Sequence, residues 1–587
     1  MKRLLLLKNP DDVSSKLNIN MFDYVLIDLD NFNLKNILDK DDIEKEYKNF
    51  IASMSSNISS DYWWASNLSE KNSFTSKLFV RLYKLACLDA KIKKYRNKDI
   101  AVVCSDLALS KQIIFNYKKN FVVSNLCFSP LEANIKALLC KLIGILAQIK
   151  KACYEYKNLL FTRCILFTRR TAILKKDDYV VLRTWCDNRS YKSGSYFDPY
   201  FKNLLSFFSG QKRNILIFAG ILSDYRDMIK KFKEDTENII IPFNFYLKGL
   251  DIFKCVFNVY FKRPSIKGNI FFCDCNVKFL VFEELLQDMN GTRFFDALLQ
   301  YYSCTSLTRS IRIERFIYTF ENYAWEKMSI LGLRYGDPNI KVLGFQHAFV
   351  SKNSFKYFPG FIERDRMPLP NKIITMGRRT LDIMNRLGCY PDNIFSVGCA
   401  LRQNYLSPSK LLPRRTTRDI FVALTITVED AVKVLRFLFD SGLGKYPEKL
   451  YIRFHPATCV NEVMKDLGFK MPSNFIISNN LSVTEEIERC GVILYTWTTV
   501  CLEALKMGCP AIYLDVNYPL EVDPLFECNS KIKDSCSNPA ELRTRINKIL
   551  NIDDNLFYEE LRKTQDYLKD YFVPVSEDNM KIFSEVL

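Results

Sequence analysis

VILYTWTTVCLEALKMGCPAIYL, residues Val492 to Leu514, decides the fold class. Its first four residues, Val492 to Tyr495, have the length and composition of a buried strand. Val500 to Met507 has helical spacing, Gly508-Cys509-Pro510 stops it, and Ala511 to Leu514 is a second apolar run. Two short apolar strands joined by a helix run parallel, and a parallel sheet is covered on both faces. The rhythm extends outwards. Ile420–Leu424, Leu450–Phe454 and Phe475–Ile477 predict further strands, with helical patterns at Glu429–Leu438 and Val483–Arg489. Upstream, Asn214–Ala219, Gly268–Phe272, Lys341–Phe345, Lys372–Met376 and Asn393–Val397 predict the strands of another α/β unit.

Pro408, Pro413 and the pair Arg414-Arg415 mark a linker between the two units. The expected division is an N-terminal domain over 1–400 with a helical insertion at about 60–200, and a linker at 401–416. A C-terminal domain over 417–560 and a final helix over 561–587, packing back, follow. Leu131, Ile135, Leu138, Leu142, Ile145 and Ile149 recur at helical spacing beside Lys136, Lys141, Lys150 and Lys151. That pattern fits an in-plane membrane-surface helix or a buried scaffold helix, and the buried one is the expectation.

The 587 residues are enough for several domains, and 48% hydrophobic with 26% charged residues excludes a disordered or fibrous chain. There is no apolar run of membrane-spanning length and no secretory leader pattern; MKRLLLL reads as a first buried strand. Lys and Arg number 84 against 66 Asp and Glu, a net charge of +18. The excess favours anionic partners, although a lysine-rich composition alone would produce it. The 19 cysteines contain no CxxC pair, which predicts reduced thiols, a cytosolic location and no zinc site.

The chain has two histidines, and each follows a predicted strand, where sites of α/β sheets lie. His347 ends KVLGFQH and could accept a proton from a hydroxyl. His455 ends YIRFHP, where Pro456 turns the chain sharply; Arg453 precedes it on the strand. Thr496, Thr498 and Thr499 stand at a helix start, as do Thr425 and Thr427, where backbone N–H groups and hydroxyls suit a phosphate. An ordinary N-cap would use the same residues. TFENYAWEKM brings Glu321 and Glu326 beside Trp325, and TWCDNRSYKSGSYFDPYF brings Asp187 and Arg189 among aromatics. DYWWASNLSEKN has the same composition. Rings stack on sugar faces and charged groups hold hydroxyls, whereas any one of these aromatics alone reads as core. Asp28 and Asp30 form a DxD, a pattern common by chance, and no GxGxxG or GxxxxGK[ST] occurs.

The order of the segments GFQHA, PNKIITMG, VGCALR, RFHP and EALKMGCP resembles two-domain GT-B glycosyltransferases of bacterial surface polysaccharide synthesis. Those include teichoic acid glycerophosphotransferases and the capsule Kdo and polysialic-acid transferases. With WWASNLSEKN, TWCDNRSY and ENYAWE, the chain looks most similar to the surface carbohydrate biosynthesis protein family. The resemblance implies α/β architecture of GT-B type: two Rossmann-like doubly wound domains facing a cleft, with a helical N-terminal elaboration. It implies an inverting, metal-independent glycosyltransferase with no cofactor beyond its nucleotide-sugar donor, expected to be a CMP-activated acidic sugar such as Kdo or a sialic-like nonulosonate. The acceptor would be a surface glycan or lipid-linked glycan. The HP motif assigns His455 and Pro456 to the donor nucleotide, and the later Ser/Thr motif assigns Thr498 and Thr499 to its phosphate. Glu503 would hold the ribose, and His347 would be the base, with Glu321, Glu326 and Asp187 as carboxylate substitutes. An anionic membrane surface is a further expected partner, on the cytoplasmic inner face, and nucleic acid is not. Two other readings remain open: a nucleotide-sugar epimerase of the same architecture, and a non-enzymatic basic protein binding membranes or nucleic acid.

Overall fold

The computed structural model describes residues 2–8, 24–30, 37–57, 60–73, 75–127, 129–172, 178–192, 194–262, 264, 268–402, 414–455, 458–478, 480–516 and 521–585. Three parallel sheets organise them. The first comprises β1 (Lys2–Leu7), β2 (Tyr24–Asp28), β3 (Asp99–Val103) and β4 (Phe121–Asn125), in the order β2-β3-β1-β4. The run of leucines after Arg3 is its central strand. Leu4 and Leu6 face the main core, and Leu5 and Leu7 face a small core with Ala101 and Val103. The N-terminal elaboration therefore carries a sheet as well as helices.

The second sheet comprises β5 (Asp178–Cys186), β6 (Asn214–Ile221), β7 (Ile239–Pro242), β8 (Arg312–Thr319), β9 (Val342–Gln346), β10 (Lys372–Thr375) and β11 (Phe395–Val397). Its order is β11-β10-β9-β8-β5-β6-β7. The third comprises β12 (Ile420–Ala423), β13 (Leu450–Arg453), β14 (Phe475–Ile477), β15 (Val492–Tyr495), β16 (Ala511–Leu514) and β17 (Lys533–Cys536), ordered β14-β13-β12-β15-β16-β17. In both sheets the chain starts near the middle, winds to one edge, then returns to wind to the other. That is the Rossmann-like doubly wound order, and it leaves a crevice beyond the strand ends where the direction switches.

One expected strand is different. Gly268–Phe272 supplies only Phe271–Phe272, which pairs antiparallel with Cys275–Asn276 as a separate two-stranded hairpin. Asp274 at the turn has φ +65°, a conformation that supports a hairpin rather than a central strand. The long helix Pro130–Ile165 also departs from expectation. Ile135, Leu138, Leu142, Ile145 and Ile149 are exposed, so the apolar stripe lies on the surface and not in the scaffold. Leu131's side chain lies outside the described residues, as do Pro408 and Pro413.

Alternation along the strands sets the cores. In the third sheet, Ile420, Val422, Val492, Leu494, Ile512 and Leu514 enter a core of their own. Phe421, Ala423, Ile493, Tyr495, Ala511 and Tyr513 join the large core shared with the rest of the chain. The C-terminal segment ties the two units. After helix Asp554–Lys569, the Val573 N–H donates to the Met376 carbonyl at 3.1 Å, and the Val573 carbonyl accepts from Ala400 at 2.9 Å. Helix Glu577–Glu585 then brings Phe583 against Phe345, 5.6 Å between ring centroids. Arg414, expected in the linker, donates to the Leu550 and Ile552 carbonyls, each at 2.5 Å.

Helices Arg293–Ser310 and Ala324–Gly336 approach closely behind the second sheet because Gly332 has no side chain; a Cβ there would fall inside contact distance of the Tyr301 carbonyl. Gly332→Ala is expected to cost about 1–3 kcal/mol through overpacking. A lowered urea midpoint measures this; an unchanged midpoint would show that the helices can separate freely.

Candidate active site

The two switch points carry residues that the sequence singles out. In the second sheet the central neighbours β5 and β8 end at Cys186 and Thr319, so Asp187 and Glu321 sit in the loops that part there. In the third sheet β12 and β15 end at Ala423 and Tyr495, so Thr425 and Thr496 do the same. His347 follows β9 directly, and His455 lies two residues beyond β13.

Around Asp187 the geometry is an ion pair. Arg189 Nη2 lies 2.6 Å from Asp187 Oδ2, and the Arg189 N–H donates to Oδ1 at 2.8 Å. Burial pushes the Asp187 carboxyl up, but the bonds and charge of Arg189 and the more distant Arg402 hold it below its ordinary range. The His347 ring stacks on Tyr200, with centroids 5.1 Å apart and planes 19° from parallel. Arg402 lies over the same tyrosine, 5.5 Å from its centroid. Arg402, Tyr200 and His347 thus form one group.

On its other side His347 meets Glu321, Nε2 to Oε1 at 3.9 Å. Lys356 Nζ pairs with Glu321 Oε2 and donates to the Tyr323 hydroxyl at 2.8 Å. Burial would raise the Glu321 carboxyl, yet the Lys356 charge and the imidazole bring it down to about 2. It is therefore ionised. Burial drives the imidazole the other way, down to about 4; Glu321 opposes the shift, while Arg402 and Lys356 add to it. At neutral pH His347 is uncharged, with an ionised carboxylate beside it. Its Nδ1 is buried and has no hydrogen-bond partner among the described residues.

His455 is lowered by burial, then by Arg402 and Arg189. The Arg402 charge is therefore felt by both histidines of the chain, one in each unit. Lys202 extends it: its Nζ donates to the Arg402 carbonyl at 2.5 Å, and it feels the charge of Glu503 in the third-sheet unit. Among the described residues no ion pair within 4.0 Å involves Arg402. The hydroxyls of Thr425 and Thr496 are buried and lack hydrogen-bond partners among the described residues. A buried, unpaired hydroxyl at a switch point is suited to a polar ligand.

Several predicted residues do other things. Glu326 is buried and accepts the Glu321 N–H at 3.0 Å and the Asn322 N–H at 2.7 Å. It shapes the turn, in which Asn322 has φ +62°, and so aims Glu321. Arg453 donates to the Leu481 carbonyl at 2.5 Å, holding the loop beyond the edge strand. Thr427 caps helix Val428–Asp440, accepting the Asp430 N–H at 3.2 Å. Thr498 accepts the Val500 N–H at 3.3 Å, and Thr499 is the half-buried N-cap of the same short helix. Glu503 is buried within that helix. Pro456 lies outside the described residues.

A cavity of about 550 Å³ opens at the carboxyl ends of β5, β6, β7 and β8. Trp185, Tyr154, Trp325 and Tyr323 line it together with Lys151, Glu155, Asp296 and Arg293. Lys151 bridges Glu155 and Asp296, 3.0 Å to each. Tyr323 links this cavity to Lys356 and hence to His347. Gly220 on β6 makes room for Trp185, whose ring would stand 2.5 Å from a Cβ there. Apolar rings with paired charges on one wall suit a sugar, whose faces are apolar and whose edge is hydroxylated.

Arg402, Arg189, Tyr200 and Lys356 hold this centre together; of these the sequence points to Arg189 alone, through its aromatic surroundings. Arg402 ends VGCALR and Tyr200 lies in FDPYF, so both were in segments already noted. Nothing in either segment states that a cation–ring–imidazole group forms. Among the described residues no three His, Cys, Asp or Glu side chains group as a metal site.

Two doubly wound parallel sheets, of seven and six strands, are the two-domain α/β architecture expected from the sequence. No protein-family model matches the chain, and no curated protein does. Solved structures to which it is similar include CalG4, the calicheamicin glycosyltransferase, at 12% identity and TM-score 0.37, over 68% of this chain and 96% of that one. SnogD, a glycosyltransferase from Streptomyces nogalater, shares 14% identity at TM-score 0.40, over 70% and 100%. WaaG, a glycosyltransferase involved in lipopolysaccharide biosynthesis, shares 10% at TM-score 0.39, over 69% and 100%. Likeness of this degree assigns neither family nor activity.

The low value for His347 has a consequence for stability. Between pH 6.5 and about 4 the unfolded imidazole binds a proton that the folded one refuses. The native state therefore weakens as pH falls through that window, by about 3 kcal/mol at most. His347→Asn is expected to flatten this part of the stability–pH curve in urea titrations. An equally steep curve would mean that the imidazole is not held neutral.

Proposed function

We propose that the chain is a GT-B-type glycosyltransferase that moves a sugar from a nucleotide donor to a glycan or lipid-linked glycan acceptor. The observation that carries this reading is the group of Arg402, Tyr200 and His347 beside the second-sheet switch point, with the Arg402 charge also felt by His455 of the third-sheet unit. Such a centre suits the charge that develops on a departing phosphate. In this reading the donor lies against the third-sheet unit. Arg402, Lys202 and His455 face its phosphate, and the hydroxyls of Thr425, Thr496, Thr498 and Thr499 supply donors. The acceptor occupies the ring-lined cavity at the second sheet.

The reaction is one displacement. The acceptor oxygen forms a bond to the anomeric carbon as the bond from that carbon to the phosphate oxygen breaks. The hydroxyl proton passes to neutral His347, whose new charge is balanced by ionised Glu321. The electron pair of the broken bond leaves on the nucleotide, in front of the cations. Attack opposite the leaving group inverts the anomeric carbon. A CMP-activated acidic sugar fits the excess of cations, since its carboxylate adds a second anion to the site. This places no demand on a metal or other cofactor. The setting suits the cytoplasmic face of a membrane, where such donors and lipid-linked acceptors meet.

Titration calorimetry with CMP, CDP and UDP tests the donor class. Binding of CMP supports the acidic-sugar donor, and binding of UDP alone overturns it. His455→Ala is expected to weaken nucleotide affinity, and unchanged affinity would remove its assigned role. His347→Ala is expected to lower kcat about 10²–10⁴-fold with donor affinity retained. Turnover of donor to an epimer without any acceptor would contradict transfer altogether.

A further inference from the structure

The helix Pro130–Ile165 has an apolar stripe that the protein does not cover. Eight of its leucines and isoleucines between Ile135 and Ile149 are 41–66% exposed. At 100° per residue they fall within an arc of roughly 160°. The N-terminal half of the helix touches the body narrowly. Gly144 meets Asn290, where a Cβ would approach the Asn290 Cα to 2.8 Å, and Gln148 donates to the Gly291 carbonyl. Neighbouring helix Gly249–Phe261 continues the face with Leu250, Phe253, Phe257 and Phe261, all more than half exposed. Phe257 and Phe261 stack on each other at 4.4 Å on the surface. Between the two helices runs an apolar groove of about 520 Å³, bridged by Tyr156 and Phe253 with ring centroids 6.2 Å apart.

Along the exposed stripe, from Ile135 to Ile149, the charges have one sign; Glu132 precedes it, and Asp251 of helix Gly249–Phe261 is buried beside Lys254. From Ala133 to Tyr154 the sequence contains no Asp or Glu. Lys136, Lys141, Lys150 and Lys157 are exposed, and none belongs to an ion pair among the described residues. Glu155, the next carboxyl, is buried and turned inwards to Lys151. No helix among the described residues is long and apolar enough to cross a membrane. An apolar arc edged by unpaired lysines is instead suited to lie in the plane of an anionic interface, apolar side chains among acyl chains and ammonium groups at the headgroups.

We propose that the face formed by helices Pro130–Ile165 and Gly249–Phe261 docks on an anionic lipid bilayer. The charge pattern separates this occupant from a second copy of the chain, because two copies paired along the stripe from Ile135 to Ile149 would oppose lysines to lysines with no carboxylate in that stretch. Docking does not require the transfer reaction, and a chain without transferase activity would still bind. It does bear on the acceptor. Lys151, Tyr154 and Glu155 of the same helix line the ring-lined cavity, so docking holds that cavity beside the headgroup layer and favours a lipid-linked acceptor.

The test is co-sedimentation of the full chain with vesicles of phosphatidylcholine alone or mixed with phosphatidylglycerol, with light scattering of the free protein. The chain should pellet with the mixed vesicles, remain in solution with phosphatidylcholine alone, and be released by salt. Leu142→Glu with Leu146→Glu should lower vesicle binding at least tenfold while the thermal midpoint stays unchanged, since both side chains are exposed. Lys136→Gln with Lys150→Gln should reduce the preference for phosphatidylglycerol. The proposal is overturned if the wild type stays in solution with both vesicles, or if the double glutamate variant binds as the wild type does. A dimer in light scattering that the same glutamates dissolve would assign the face to a second copy and overturn it equally.

Discussion

The charge of Arg402 organises the site. It lies over Tyr200 and adds to the burial that lowers both imidazoles, and among the described residues no carboxylate is within ion-pair distance of it. Arg189 and Lys356 are neutralised locally by Asp187 and Glu321. The centre thus has a cation without an ion-pair partner among the described residues, and its charge disfavours protonation of both imidazoles. A cation held this way attracts an anion, and neutral imidazoles beside it can accept a proton or donate a hydrogen bond. The proposed roles of leaving-group acceptor and base both follow from that balance.

Supporting residues make the balance rigid. Glu326 accepts two N–H groups, of Glu321 and Asn322, to fold the loop that presents Glu321. Lys356 is held by Glu321 and Tyr323 together. Further out, Lys71 and Glu363 form a fully buried pair, 2.6 Å at its shorter contact, which joins the end of helix Asn67–Glu70 to the loop between β9 and β10. Pairs buried this deeply contribute little net stability, but losing either partner alone strands a charge and costs about 3–5 kcal/mol. Their effect is to fix one relative arrangement of loops, which a site assembled from several separate loops requires.

The C-terminal unit was legible in the sequence because its strands are short, apolar and separated by helical patterns. Residues Val492 to Leu514 fold as that pattern predicts, and both histidines stand at strand ends. The two strands that form the first switch point were not read. β5 is DYVVLRTWC and β8 is RIERFIYT, and their charged residues break the apolar runs by which a buried parallel strand is recognised. Arg183 is nonetheless buried, its guanidinium 4.5 and 4.8 Å from the ring centroids of Trp185 and Trp325. Asp187 and Glu321 were therefore picked for their aromatic neighbours, while their common position at the strand ends required the topology. The stripe on Pro130–Ile165 was visible as a period, but a period does not state whether its face meets core or solvent.

The chain has only two histidines, so its imidazole resonances can be followed individually by nuclear magnetic resonance. The most direct test of the shared centre is a pH titration of both resonances in the wild type and in Arg402→Gln, with and without a nucleoside phosphate. If one guanidinium serves both lobes, Arg402→Gln raises the titration midpoint of each imidazole, and the nucleotide perturbs both resonances in the wild type. A substitution that moves one resonance and leaves the other untouched, or a nucleotide felt by neither, would contradict the account.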